Sequence, residues 1–243
     1  MNIEYETFTN IGNRPINEDY VTHYHSSDQY CFILCDGLGG HGKGELASSY
    51  VGESIKNSFI CHTDFVSFFS KCFEEAQYGL LNEQKRLNAR FEMKTTAVVL
   101  AIDNNQFQYA HIGDSRLYHF RKNKIISRTL DHSVPQMLVL AGDIKEKSIR
   151  SHPDRNRLLR VLGVDGDTPR YELSEIGVLR PGDSFLLCSD GFWEPVLEKQ
   201  MCKLLKKSKS ASEWMNLLQK EVKLNGQDAN MDNYSAITIM CKE

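Results

Sequence analysis

The chain has 243 residues, 41% hydrophobic and 25% charged, with a formal charge of −3. That balance is ordinary for a globular protein of one large domain or two small ones, and the slight acidity argues against nucleic acid or an anionic membrane as main partner, since both select a clustered basic surface. No stretch approaches the roughly eighteen apolar residues of a membrane span, and the N-terminal MNIEYETFTNIGNR has acids and no apolar segment, so a soluble cytoplasmic protein is expected.

In chain order, "NRPINEDY" places Glu18 and Asp19 directly before a candidate strand, and β-branched and aromatic residues mark further strands at 30–35, 95–102, 107–112, 117–120, 185–188 and 236–241. Several of these runs are apolar at every position, as strands buried on both faces are. Helical spacing links Ala47, Val51, Ile55 and Phe59, then Phe65, Phe69, Phe73 and Ala76, and near the C-terminus Ala211, Trp214, Leu218 and Val222. Two adjacent helices followed by three successive strands from 95 to about 121 predict an antiparallel meander rather than βαβ units. Residues 133–170, with Pro135, Pro153, Gly163, Gly166, Pro169 and two short helical patches, read as a mobile insertion. "DHSVP" reads as a helix start with Pro135 in the first turn, which makes Asp131 and Ser133 capping residues. The seven cysteines form no CxxC pair and lie mostly in apolar runs, as expected for a reducing compartment without disulfides.

"CDGLGGHGKG", from Cys35 to Gly44, admits three chemistries. Gly37, Gly39 and Gly42 match a dinucleotide fingerprint, but the region that follows is helical to about residue 88, where a crossover and a second strand belong, and Asp36 would repel a pyrophosphate. Gly37, Gly42 and Lys43 fall short of a P-loop, because Gly44 stands where a hydroxyl should bind magnesium. The third candidate is Asp36 itself. Acids also close or nearly close apolar runs at Asp114 in "YAHIGDS" and Asp190 in "FLLCSDG", Asp232 lies just ahead of another, and Glu18 and Asp19 precede a strand. One Asp beside Gly is a turn residue; five such places on strand rims suggest a cluster. Carboxylates held together raise one another's pKa unless a cation neutralises them, and an all-oxygen set suits Mg²⁺ or Mn²⁺. Two such ions sharing a carboxylate can ready a water for in-line attack on phosphorus. Gly37, lacking a side chain, would let a carbonyl approach one ion. No Cys has an Arg six residues on, no G-x-S-x-G elbow occurs, and "VDGDTP" at 164–169 follows a glycine rather than a strand, so it is discounted as an aspartyl nucleophile and read as a surface turn.

Together, "RPINED", "CDGLGGHGKGELAS", "TTAVV", "HIGDSRLY", "DHS", "HPDRNRLLRVLG", "GDSFLLCSDGFWE" and "DNYSAITI" resemble, along nearly the whole chain, the metal-dependent serine/threonine protein phosphatases of type 2C, the PPM family, in their compact bacterial form. The resemblance implies an α+β fold: a four-layer α-β-β-α sandwich of two antiparallel sheets flanked by antiparallel helices, as one domain over 1–243 with a flap-like insertion at about 133–160. It implies two Mn²⁺ or Mg²⁺ ions and a weaker third. Asp36 would bridge the first two and the Gly37 carbonyl would help hold one. Asp190 and Asp232 would complete the shell of the first ion, Glu18 and Asp19 would serve the second ion directly or through water, and Asp114 would share the third ion with Asp190. Arg14 falls where the family clamps substrate phosphate, with a solvated face as the plain alternative. Asp114 could instead pair with Arg116 as structure. Many relatives carry a general-acid His directly after the Asp-Gly pair, where this chain has Leu38, leaving His41 as a candidate acid against a competing water. The expected function is hydrolysis of phosphoserine and phosphothreonine in protein substrates of a Ser/Thr kinase, without a phosphoenzyme. "GDSRLYHFRKNK" supplies a small basic strip suited to guiding an acidic phosphosite, with a merely solvent-facing charge run as the alternative. The competing readings are a catalytically silent binding module, against which the full set of acids argues, and a small-molecule phosphatase of the same fold.

Overall fold

In a computed structural model that describes residues 1–38, 43–61, 64–164, 166, 168–226 and 230–243, the chain begins with β1 (Asn2–Asn10), β2 (Asp19–Ser26) and β3 (Gln29–Leu38). Two long helices, α1 (Gly44–Cys61) and α2 (Phe65–Arg86), follow, the second capped by Asp64, which accepts the Ser67 N–H at 2.9 Å. Next come β4 (Lys94–Thr95), β5 (Ala97–Asp103), β6 (Gln106–Ile112), β7 (Arg116–Arg121) and β8 (Lys124–Arg128). The segment at 133–160 holds α3 (Val134–Ala141) and a 3₁₀ helix (Glu146–Ser151). The chain closes with β9 (Glu172–Leu173), β10 (Gly177–Val178), β11 (Asp183–Cys188), α4 (Asp190–Trp193), α5 (Glu198–Lys207), α6 (Ala211–Gly226) and β12 (Tyr234–Lys242).

The strands form two antiparallel sheets, ordered β1-β12-β11-β7-β8 and β10-β6-β5-β3-β2, with β4 added to β3 and β9 to β6. Strand alternation explains how one apolar run serves two cores. In β3, Cys31, Ile33 and Cys35 pack beneath α1 and α2 against Val51, Ile55, Phe69 and Phe73, while Phe32 and Leu34 face the opposite sheet, against Phe185, Leu187, Ile237 and Ile239. On the far side, Tyr118, Phe120 and Leu186 meet Trp214, Leu218 and Val222 under α5 and α6. Each such side chain contributes about 1.5–3 kcal/mol by leaving water. The result is the expected four-layer α-β-β-α sandwich.

Four expectations need correction. The meander does not continue past β6: β7 leaves its neighbours and joins the other sheet between β11 and β8. The chain makes that crossing at Gly113, whose φ of +109° and contact with Thr96 leave no room for a Cβ. Second, β1, β8 and α5 escaped the sequence reading because polar residues interleave them; β1 is fixed by pairing with β12, from Asn2 opposite Lys242 to Asn10 opposite Tyr234. Third, Asp131 caps no helix. It binds Arg116 through Nε and Nη2, both at 2.7 Å, with both side chains buried. That pairing also corrects the alternative of an Asp114–Arg116 ion pair. Ser133 is the α3 cap, with Pro135 in the first turn as expected. Fourth, residues 133–170 are more structured than an open insertion, since Ser133 bridges Leu158 and Leu162 bridges Thr95. All seven cysteines are free.

One buried carboxylate tests the first sheet's edge. Asp183 accepts from Arg121 Nε and Nη2 at 2.6 and 2.8 Å and from the Arg180 N–H at 2.9 Å, with His119 Nε2 at 3.3 Å. Burial pushes its carboxyl up, but these partners outweigh burial and hold it down at about 2. Because the folded value is depressed, its stabilisation is fully present above the unfolded value near 4 and is lost as pH falls toward 2. Asp183→Asn is expected to lower unfolding free energy by about 3 kcal/mol at pH 7. Urea titrations should show the difference from wild type shrinking steadily between pH 4 and pH 2, and a pH-independent difference would contradict the assignment.

Candidate metal centre

The same alternation that builds the inter-sheet core delivers its first two acids. Following Phe32 and Leu34 along β3, Asp36 is the next residue on the face toward the opposite sheet, and its partner across the β2–β3 ladder is Asp19. The Asp36 backbone is fully engaged. Its N–H donates to Thr96 Oγ1 at 3.0 Å, and its carbonyl accepts the Thr96 N–H at 2.8 Å and Thr95 Oγ1 at 2.9 Å. The other sheet brings Asp190, where β11 passes into α4, and Asp232, just before the neighbouring β12. Asp114 stands in the crossing from β6 to β7, so both sheets and their junction contribute.

Glu18 closes the arrangement on the helical side. Its carbonyl accepts the Gly37 N–H at 3.0 Å and the Ser48 hydroxyl at 2.6 Å, and its Oε1 accepts the Gly44 N–H at the start of α1 at 3.2 Å, a favourable place for negative charge. A Cβ at Gly37 would collide with the Gly44 carbonyl, so only glycine lets α1 begin this close to the end of β3. Asn233 holds the N-terminal loop in place, donating to the carbonyls of Ile11 and Ile16 at 2.8 and 3.0 Å and accepting the Glu18 N–H at 2.8 Å. The sequence reading assigned no role to Asn233. Its signal was its place in "DNYSAITI", directly after an acid. Ser189, also missed, donates to Asp19 Oδ2 at 2.8 Å.

These side chains line a cleft of about 560 Å³ that receives Glu18, Asp36, Gly37, Asp114, Asp190 and Asp232. Arg14 stands at its mouth, bound to Asp232 through Nε at 2.9 Å and Nη2 at 2.7 Å. Asp19 lies behind the cleft wall, buried, with its Oδ1 lacking any hydrogen-bond partner among the described residues. His41 lies outside the described residues, as do Asp165 and Asp167 of "VDGDTP". Burial first, and then the neighbouring carboxylates, push Asp19 up to about 7 and Asp190 to about 6, and raise Asp36 and Asp114 well above the usual carboxylate range. An orphaned buried oxygen in an all-carboxylate set with raised pKa values fits hard divalent cations, which would relieve both the repulsion and the missing partner.

His111, His132 and Glu172 also lie within ligand distance of one another, their candidate atoms all within 4.8 Å. Their hydrogen bonds commit them otherwise. His132 Nδ1 accepts the Gly113 N–H at 3.1 Å, which leaves the proton on Nε2, facing Glu172 Oε1 at 3.2 Å; His111 Nε2 donates to the Leu130 carbonyl at 2.7 Å.

Residues 9–231 match the family model described as protein phosphatase 2C. Protein phosphatase PhpP of Streptococcus pneumoniae is 34% identical over 197 residues, covering 78% of each chain. The crystal structure of serine/threonine phosphatase Stp1 from Staphylococcus aureus superposes with a TM-score of 0.89 at 28% identity, over 100% of this chain and 96% of that one. The catalytic domain of serine threonine protein phosphatase PstP, in complex with two manganese ions, has the same fold, with a TM-score of 0.84 at 24% identity over 99% of both chains. The chain therefore belongs to the protein phosphatase 2C family of metal-dependent phosphoprotein phosphatases.

Proposed function

We propose that this protein hydrolyses phosphoserine and phosphothreonine in protein substrates with a pair of Mn²⁺ or Mg²⁺ ions held in the carboxylate cleft. The observation that carries this reading is the convergence of Asp19, Asp36, Asp190 and Asp232 from both sheets, with the Asp19 Oδ1 left unsatisfied. Asp36 would bridge the ions. Asp190, Asp232 and the Gly37 carbonyl would complete one shell, Glu18 and Asp19 would serve the other, and Asp114 with Asp190 would hold a weaker third. When bound, such ions lower the pKa of a shared water, making it a nucleophile that attacks phosphorus in line with the leaving oxygen.

The chain's own residues do the rest. Arg14 is half exposed and paired with Asp232; with that carboxylate holding an ion, its planar fork would be free to orient substrate phosphate. Cys35, beside Asp36, is buried with its thiol pushed up by that burial, which supports direct water attack over a cysteine nucleophile. His41 remains the candidate proton donor to the leaving group. Asn156 and Leu158 bring segment 133–160 to the cleft wall, in keeping with a single domain whose flap tunes access. The expected setting is cytoplasmic signalling on phosphoproteins, and the slightly acidic charge balance favours such partners over nucleic acid or an anionic membrane surface; among the described residues no helix is long and apolar enough to cross a membrane.

Hydrolysis of an aryl phosphate and of phosphopeptides should require added Mn²⁺ or Mg²⁺, and Asp36→Asn should lower kcat/KM about a thousandfold or more, the rate equivalent of several kcal/mol of charge stabilisation. Equal activity of Asp36→Asn and wild type would sink the assignment, and turnover confined to small metabolites would redirect it to another substrate class. Metal removal gives a second test. In chelator, Asp19 and Asp190 have folded pKa values above their unfolded ones, so their ionisation costs stability that is lost as pH rises from about 4 through 6 and 7. The melting-temperature gain on adding Mn²⁺ should accordingly be larger at pH 8 than at pH 5, and scanning calorimetry would expose a flat or reversed dependence.

A further inference from the structure

Trp193, buried at the end of α4, reaches across to the chain segment carrying Asp114: its indole Nε1–H donates to the Asp114 carbonyl at 3.1 Å. Two guanidiniums lie over its ring. Arg116 Cζ is 3.3 Å from the centroid and Arg150 Cζ 5.1 Å. Arg116 is held by its two bonds to Asp131 and by Nη1 donating to the Tyr118 hydroxyl at 3.0 Å. Arg150, from the 3₁₀ helix, donates to the carbonyls of Trp193 and Glu194 and to Glu198 Oε1 at 2.6 Å. Asp190 opens the helix that Trp193 closes, so one rigid indole ties the Asp190 turn to the Asp114 turn. Those two carboxylates repel each other, and a small cation tolerates little error in the spacing of its oxygens.

We propose that Trp193, braced by Arg116 and Arg150, is a positioning residue that sets the spacing of the Asp114 and Asp190 carboxylates and hence the affinity of that pair for its divalent cation. The inference rests on the metal assignments given above. No part of Trp193 needs to touch substrate or ion; it acts through the backbone of Asp114 and through the start of α4. Because Arg150 belongs to segment 133–160, the brace also joins that segment to the carboxylate pair.

The test is calorimetric titration of Mn²⁺ into the chelator-stripped full chain, with melting temperature and the Mn²⁺ dependence of aryl phosphate hydrolysis measured in parallel. Trp193→Phe keeps an aromatic ring under the guanidiniums and removes the N–H. It should weaken the lowest-affinity Mn²⁺ event roughly fivefold, the worth of one hydrogen bond, and leave tighter events within about twofold. The Mn²⁺ concentration for half-maximal activity should rise by the same factor. Trp214→Phe is the control, since the Trp214 indole N–H has no hydrogen-bond partner among the described residues, and its isotherm should match wild type. Asp114→Asn separates the two levels of the argument. If it removes the weak event while Trp193→Phe leaves that event unchanged, the positioning role is overturned and the metal assignment stands. If Asp114→Asn leaves the weak event in place, the assignment of Asp114 itself fails. Should Trp193→Phe not fold, Arg150→Lys decides: a weakened event supports the brace, and an unchanged one overturns it.

Discussion

Negative charge gathered where little water can screen it is the constraint around which this molecule is arranged. Asp19 and Asp114 are buried and Asp36 and Asp190 half-buried at one end of the sandwich, and the carboxylates make one another harder to ionise. A fold that only needed stability would have apolar residues there, as it does one step back along β3 at Phe32 and Leu34. The cost is tolerable because the acids sit where the inter-sheet core ends, Asp19 and Asp36 from one sheet, Asp190 and Asp232 from the other and Asp114 from the crossing between them.

Rigid backbone is what keeps such a cluster together when its side chains push apart. The carbonyl and N–H of Asp36 are locked to Thr95 and Thr96, and Glu18 is tied at once to Gly37, Gly44, Ser48 and Asn233. These bonds join the N-terminal loop, the end of β3, the start of α1 and the start of β12, segments far apart in the chain. Gly37 is central to that junction for steric reasons as well as for any carbonyl it offers to an ion, since a methyl group there would drive α1 away. On the opposite side, the Arg116–Asp131 pair is buried and bidentate, a geometry in which the Coulomb gain offsets desolvation and which is costly to break on one side only. It anchors the start of β7 just beyond Asp114.

Much of this architecture was legible locally. The apolar runs at 30–35 and 107–112 mark buried strands, and the helical spacing of Ala47 to Phe59 and Phe65 to Ala76 specifies the apolar side of each helix. The acids at the rims of those runs, with the family motifs around them, marked Glu18, Asp36, Asp114, Asp190 and Asp232 as members of one set, and they line one cleft. Asn233, Ser189 and Trp193 were not legible, because nothing in an amide, a hydroxyl or an indole announces which distant backbone group it will meet.

By itself, the sequence determined most element types, since periodicity is a property of neighbouring residues, and its ordered motifs carried the resemblance to the family that implied the four-layer class. Only the tertiary structure decided that β7 deserts the meander for the other sheet, that β1 pairs with β12 more than two hundred residues away, and that Arg116 takes Asp131 rather than Asp114. Each of those choices is a competition between partners equally acceptable to the local chain. It is settled by packing against both cores at once, and by the requirement that every buried charge find an opposite charge, a hydrogen-bond donor or a cation.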